Sequence, residues 1–367
     1  MKKIMLVFGT RPDAIKMCPL VNELKRRREI KTVVCISGQH REMLKEVLDI
    51  FGVFPDYDLD VMRKQQTLSD ITVDVLNGIE FVLAKENPDI VLVHGDTTTA
   101  FSAALASFYK NIPIGHIEAG LRSHNIFEPF PEEYNRKAIS LISSYDFAPT
   151  ENAKDNLIRE GKDKEKIFVT GNTVSDALSV TVKKDFFHPV LNWAEGKRLV
   201  ILTAHRRENI GETMLCIFRA VKKILSEFDD VCILYPIHPN PLIKKMAYKE
   251  LGNNKRVYMS DPMDTVNFHN ILNKSYMVIT DSGGIQEEAT LLGKPTVVLR
   301  DRTERPEGIS SGNLLISGTS EKGIYTTVKR ILSDKKTYEK MSEKSKIYGL
   351  GDASVKISDI ITKILNL

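Results

Sequence analysis

The sequence predicts an α/β protein built from two Rossmann-like, doubly wound domains, and three observations carry that prediction. Short apolar runs alternate with longer amphipathic stretches, the alternation starts afresh near Arg198, and 367 residues with 42% hydrophobic content exceed what one core usually organises. In the first series the apolar runs are KIMLVF, KTVVCIS, DIVLVH, PIGHIE, DFAP and IFVTG, with helices expected from about Pro12, His40 and Thr97. The second series runs through RLVILTA, VCILYP, RVYMS, YMVITDS and KPTVVLR. Between them the tract KKDFFHPVLNWAEGK holds the one tryptophan, lacks periodicity and reads as a connector. Residues 1–172 are thus assigned to a first domain and 173–351 to a second, with a terminal amphipathic helix at about 352–367.

Composition narrows the function classes. Fifty-two basic against 48 acidic residues leave a formal charge of +4, which calls for neither nucleic acid nor an anionic membrane as partner. The opening MKKIMLVFGTRPD is too short in its apolar part for a signal peptide, and no stretch is long enough to span a bilayer. Cys18, Cys35, Cys216 and Cys232 lie far apart without a CxxC pair and read as reduced core residues. A cytoplasmic protein is expected.

In open α/β sheets ligands gather beyond the carboxyl ends of the strands, and the residues there are unusually polar. Gly9 to Lys16 combine a glycine turn, Pro12 at a first helical position and the cations Arg11 and Lys16, which suits an anion as well as it suits a capped surface helix. Neither GxGxxG nor GxxxxGK[ST] occurs, which argues against a dinucleotide fingerprint or a P-loop. Asp96 in GDTTT could cap the next helix, Glu118 in HIEAGLR could be solvated or paired with an arginine, and Glu132 in PEEYNR could complement a helix dipole. Converging on one crevice, the three carboxylates would instead suit general acid/base work on a weakly acidic C–H.

The second series offers His205 and Arg206 in TAHRREN, which can neutralise a diphosphate, with His238 in YPIHPNP a weaker candidate. Ser282, Gly283 and Gly284 in TDSGGIQEE can cradle a phosphate at a helix start, and Glu288 one turn on can accept from ribose hydroxyls. The dense charges of RDRTERPE, with Thr303, Glu304 and Arg305, also suit a nucleotide diphosphate. A metal is not expected: His116 and Glu118 lack a third ligand in reach, and the DxD spacing of Asp56, Asp58 and Asp60 falls in a polar connector.

Taken in order, GTRPDAIKM, GQHREM, VHGDTTT, GHIEAGLR, PFPEEYNR, TAHRREN, TDSGGIQEE and RTERPEG resemble the motifs of the non-hydrolysing UDP-N-acetylglucosamine 2-epimerases, from about residue 3 to the end. The resemblance implies a glycosyltransferase-B-like arrangement with the active site in the interdomain cleft, a C-terminal helix crossing back to the first domain, a homodimer, and no cofactor. It implies loss of the C2 proton with elimination of UDP to 2-acetamidoglucal, followed by re-addition, supplying ManNAc units for bacterial cell-surface polysaccharide. Carried onto this chain, Asp96, Glu118, Glu132 and His205 are the catalytic candidates. Arg11, Lys16, Arg136, Arg206, His238, Phe268, Ser282, Gly283, Gly284, Glu288, Thr303, Glu304 and Arg305 are the substrate-binding ones. In bacterial relatives a second UDP-N-acetylglucosamine binds as activator, at positions matching Gln39, His40, Glu42, Gln65 and Arg206. The chain departs from the pattern at Asp13 for the usual Glu, at Glu128 for Ser, at Glu42 and Gln65 for Gln and Arg, and in its YGLGD tail.

Overall fold

The computed structural model describes residues 1–38, 41–63, 65–206 and 209–367, without the side chains of Arg41 and Glu42. In chain order the first part comprises β1 (Lys2–Phe8), α1 (Arg11–Lys25), β2 (Ile30–Ile36), α2 (Arg41–Phe51), β3 (Tyr57–Asp58), α3 (Leu68–Glu86) and β4 (Ile90–His94). It continues with α4 (Thr98–Tyr109), β5 (Ile114–Ile117), α5 (Glu132–Ile142), β6 (Tyr145–Ala148), α6 (Glu151–Arg159), β7 (Ile167–Val169) and α7 (Val174–Thr181). The second part comprises α8 (Pro189–Trp193), β8 (Arg198–Thr203), α9 (Glu212–Glu227), β9 (Val231–Pro236), α10 (Pro241–Leu251), β10 (Val257–Ser260) and α11 (Thr265–Lys274). After β11 (Met277–Thr280) and α12 (Gly283–Leu291) come β12 (Thr296–Val298), α13 (Pro306–Ser310), β13 (Leu314–Ile316), α14 (Glu321–Ser333), α15 (Lys335–Met341) and the terminal α16 (Ala353–Ile364).

Two compact units result, Met1–Ser179 with Tyr348–Leu367, and Val180–Ile347. Most of α7 thus stays with the first unit, because Asp176 there accepts from the amides of Ala353 and Ser354 and anchors the start of α16. Ile357 and Ile361 of α16 join Leu20, Val21 and Leu24 of α1 in the first unit's core.

Within the first unit the described strands form a parallel sheet ordered β3-β2-β1-β4-β5-β6-β7. Its central strands are buried on both faces, so they read as continuous Ile, Val and Leu runs rather than alternating patterns. The order reverses between β1 and β4, the switch point where such sheets open a crevice beyond their strand ends. The second unit repeats the plan as β10-β9-β8-β11-β12-β13, with its switch point between β8 and β11.

Three sequence expectations need correction. The tract KKDFFHPVLNWAEGK is not irregular throughout: His188 accepts from the Val190 amide and Pro189 opens α8. Tyr57 and Asp58 are not mere connector but pair with Cys35 and Ile36 at the sheet edge, and Asp56 accepts from the Val34 amide. Three cysteines are free and buried, with burial pushing Cys18 and Cys35 up to about 12 and Cys232 to about 11, whereas Cys216 on α9 is only half-buried. None of the described helices is long and apolar enough to cross a membrane.

Candidate active site

At the first switch point β1, β4 and β5 deliver their following residues side by side. Beyond β1, Gly9 lets the chain pass so close to β2 that any Cβ would collide with the Ser37 hydroxyl. Thr10 then caps α1 reciprocally with Asp13: each side chain accepts from the other's amide, both at 3.3 Å. The capping turns Lys16 inward, where it is buried and paired with Glu118.

Glu118 follows β5 in the left-handed region at φ 63°, a conformation that costs a non-glycine residue energy unless its surroundings over-determine it. Here they do: its carboxylate accepts from Lys16 Nζ and, at 2.6 Å, from Asn172 Nδ2 after β7. His116 lies two residues earlier. It is fully buried within β5 and its Nε2 meets the Gly95 carbonyl at 2.7 Å, tying β5 to the turn that carries Asp96. Burial pushes the His116 imidazole down to about 3, the Gly95 contact acting the other way.

Asp96 is not the cap of the next helix. Thr97 is: its hydroxyl accepts from the Ala100 amide, leaving the Asp96 carboxylate to pair with Arg136 of α5. Asn135 Nδ2 donates to the Asp96 carbonyl at 2.8 Å, so α5 holds both ends of that residue. The neighbouring glutamates of α5 divide. Glu133 is fully buried and accepts from Arg136 and from the amides of Ser123 and His124, which makes it a clamp on the preceding loop. Glu132, in the first helical turn, is half-buried, with its Oε2 buried. Arg11, at the start of α1, is partly exposed.

The second unit builds a different chemistry at its own switch point. The register pairs Thr203 with Thr280, whose hydroxyls lie 2.6 Å apart, so the residues after β8 and β11 must meet. Asp281 is consequently a fully buried hub. Its Oδ1 lies 3.1 Å from His205 Nδ1, and its Oδ2 accepts from the amides of His205 and Arg206 and from Asn209 Nδ2. Burial alone would raise this carboxyl, but the adjacent His205 imidazole and the amides of His205 and Arg206 hold it at about 2. The carboxylate fixes the orientation of His205 and leaves Nε2 for a ligand. His205 stacks on exposed His238, rings 6.0 Å apart, and Arg206 Nε donates to the Asp281 carbonyl.

Beyond β11, α12 begins at Ser282, whose hydroxyl makes no capping bond, unlike the threonines that start α1, α3 and α4. A Cβ on Gly284 would meet nothing within 4 Å, whereas one on Gly283 would collide with the Arg305 guanidinium, and the first amides of α12 have no partner within the helix. Glu288 Oε1 lies 3.5 Å from His269 Nε2, whose other nitrogen contacts the Thr181 hydroxyl at 2.8 Å, and Glu288 Oε2 is buried without a hydrogen bond. Phe268 is half-buried on the same helix as His269.

The RDRTERPE charges mainly satisfy one another. Glu304 joins Arg300 at 2.6 Å and Arg305 at 2.7 Å, Arg305 also holds Glu287, and Thr303 donates to Gln286. Of the activator positions, Gln39, His40 and the Glu42 side chain lie outside the described residues, and Gln65 is an exposed loop residue at φ 59°. Sequence reading passed over two side chains that the fold brings to these ends, His94 and Asp281. Asp281 was visible only as a member of TDSGG, with nothing in its spacing to show that it faces His205.

Comparison with known proteins is direct. The family model described as UDP-N-acetylglucosamine 2-epimerase matches residues 22–362. The UDP-N-acetylglucosamine 2-epimerase of Bacillus subtilis (strain 168) is 51% identical over 355 residues, covering 97% of this chain and 93% of that protein. Among solved structures, S. aureus MnaA with UDP superposes with a TM-score of 0.97 at 47% identity, over 100% of this chain and 98% of the other. UDP-GlcNAc 2-epimerase from Neisseria meningitidis bound to UDP-GlcNAc gives 0.94 at 41% identity, over 98% and 100%.

Proposed function

The chain belongs to the UDP-N-acetylglucosamine 2-epimerase family, and from that premise we propose that it interconverts UDP-N-acetylglucosamine and UDP-N-acetylmannosamine in the cytoplasm by eliminating and re-adding UDP. A base removes the C2 proton, the C2–H electron pair forms a C1=C2 double bond, and the C1–O pair leaves with UDP, giving 2-acetamidoglucal. UDP then re-adds at C1 while an acid returns a proton to the opposite face of C2.

The observation that carries this reading is the first unit's set of carboxylates, each at an element end. Glu118 is held in a left-handed conformation by Lys16 and Asn172, Asp96 is held by Arg136, and Glu132 sits in the first turn of α5. Arg11, Lys16 and Arg136 are the cations for the developing negative charge. The second unit takes the nucleotide: the amides of Gly283 and Gly284 and the Ser282 hydroxyl hold phosphate, His205 oriented by Asp281 stabilises or protonates the leaving diphosphate, and the unbonded oxygen of Glu288 accepts from ribose. Relatives solved with UDP and with UDP-GlcNAc support the same substrate class. A second UDP-N-acetylglucosamine acts as activator, with Arg206 and Gln65 among its positions. The working form is a homodimer, and exposed Phe81, Phe108 and Leu141 on α3, α4 and α5 give it an apolar face to cover. The product supplies ManNAc units for cell-surface polysaccharide.

A proton NMR time course with UDP-N-acetylglucosamine in D2O tests the reading. UDP-N-acetylmannosamine should appear with deuterium at C2, and an 18-oxygen label in the anomeric bridge should scramble into the β-phosphate. Asp96→Asn, Glu118→Gln and Glu132→Gln should each cost at least about a hundredfold in turnover with folding intact. Retention of the C2 hydrogen would refute elimination. Release of free N-acetylmannosamine would assign a hydrolysing epimerase, and reaction only with a sugar acceptor would assign a glycosyltransferase.

A further inference from the structure

His94 is the last residue of β4 and is buried at the first switch point, yet neither of its ring nitrogens makes a hydrogen bond. It stands between two carboxylates: Asp13 Oδ1 lies 3.4 Å from Nδ1 and Glu118 Oε2 lies 3.8 Å from Nε2. Buried polar groups are almost always bonded, so a ring left unbonded next to a catalytic candidate points to a second state in which it is bonded. Resting on the acid/base reading of Glu118, we propose that His94 is a positioning residue that serves the protonated form of Glu118, giving that residue separate partners for its two protonation states.

The argument starts from Asp13. Its carboxylate accepts from the Thr10 amide and the Thr97 hydroxyl, both through Oδ2 at 3.3 Å, which leaves Oδ1 turned to the ring as an acceptor. An acceptor at Nδ1 selects the tautomer with its proton there. Nε2 then presents a lone pair to Glu118. An ionised Glu118 has nothing to donate to it and instead accepts from Lys16 Nζ and Asn172 Nδ2. When Glu118 carries a proton, it becomes an O–H donor, and closing the present 3.8 Å to Nε2 by roughly 1 Å makes the bond.

The switch needs no outside reagent. The proton that Glu118 takes from C2, or returns to it, is the one His94 recognises. Among the described residues, the charged or titratable groups facing the ring include Asp13 and Lys16 of α1, Glu118 after β5, and His116 within β5. Hydrogen bonding to the neutral form raises a carboxyl's pKa, so removing the acceptor at Nε2 should move the Glu118 limb of the rate profile to lower pH.

The experiment is the pH dependence of kcat and KM with UDP-N-acetylglucosamine for the full-length wild type, His94→Asn, His94→Gln and Glu118→Gln. His94→Asn keeps an amide near the Nδ1 position but loses the acceptor. It should lower kcat about 10- to 100-fold, leave KM within about twofold and shift one limb downward by about one pH unit. His94→Gln, whose carbonyl oxygen can reach the Nε2 position, should recover part of the rate and of the limb. A His94→Asn profile that coincides with wild type, a pure rise in KM, or equal losses in Asn and Gln variants would overturn the inference. Should the His94 variants fail to fold, Asp13→Asn offers a donor to Nδ1 and inverts the tautomer, and an unmoved limb there would equally overturn it. Wild-type turnover by Glu118→Gln would instead sink the acid/base reading itself, whereas an inactive Glu118→Gln beside an unshifted His94→Asn removes only the role of His94.

Discussion

Replacing Asp281 by Asn tests the second unit most sharply, because one buried carboxylate there both stabilises the fold and orients His205. The residue is fully buried and serves His205 Nδ1, two backbone amides and Asn209. Its carboxyl lies at about 2 against an ordinary 3.8. That depression amounts to roughly 2 kcal/mol, present in full above the unfolded value and lost as the pH falls from 3.8 toward about 2. Asn keeps the shape and one acceptor but not the charge, so the variant should be about 2 kcal/mol less stable at pH 7.5, and the difference should shrink as the pH drops below about 4. Trp193, the one tryptophan, lies in the second unit against Tyr258, so its fluorescence during urea unfolding reports on the relevant unit. With Nδ1 of His205 no longer held by a carboxylate, turnover should also fall at least about tenfold while UDP still binds. An equal stability at pH 7.5, or a deficit of the same size at pH 3, would refute the assignment of Asp281 as an ionised hub.

Three further outcomes follow from the geometry. His116 lies at about 3 when folded, below its ordinary 6.5, so its contribution is complete above pH 6.5 and is lost as the pH falls from there; His116→Gln should flatten the decline in urea midpoint between pH 7 and 5, and an unchanged slope would count against a neutral buried imidazole. Gly284→Ala should keep or slightly raise the melting temperature, because the new methyl meets nothing and Ala favours the helix, yet weaken UDP binding by calorimetry about tenfold if the phosphate sits at this turn; unaltered affinity would place the phosphate elsewhere. If the proposed homodimer covers this face, Leu141→Glu with Phe81→Glu should convert it to a monomer in sedimentation, both side chains being largely exposed, and a dimer that persists would move the interface away from α3 and α5.

Much of this protein was legible in one dimension, and the reason is periodicity. A parallel strand buried on both faces must be an apolar run, and a helix laid on it must be amphipathic, so the two-domain α/β plan and the polar strand ends followed from local pattern alone. Asp96, Glu118, His205 and the glycines of α12 were legible in the motif string for the same reason: each stands within four residues past the end of an apolar run. The limits appear where roles depend on a neighbour distant in sequence. Spacing alone could not divide Glu132 from the clamp Glu133, show that Thr97 rather than Asp96 caps α4, or separate His116 from Glu118 on turning out of β5. Those outcomes were decided by strand order. Placing β4 between β1 and β5 sets His94 between Asp13 and Glu118, and placing β8 against β11 sets His205 on Asp281, contacts between residues 81, 24 and 76 apart in the chain that no local periodicity relates. Sequence by itself determined which elements form and which side chains stand at their ends; tertiary structure decided which of those ends meet, because the pairing of strands is a contest among whole faces and crossovers rather than a property of any one segment.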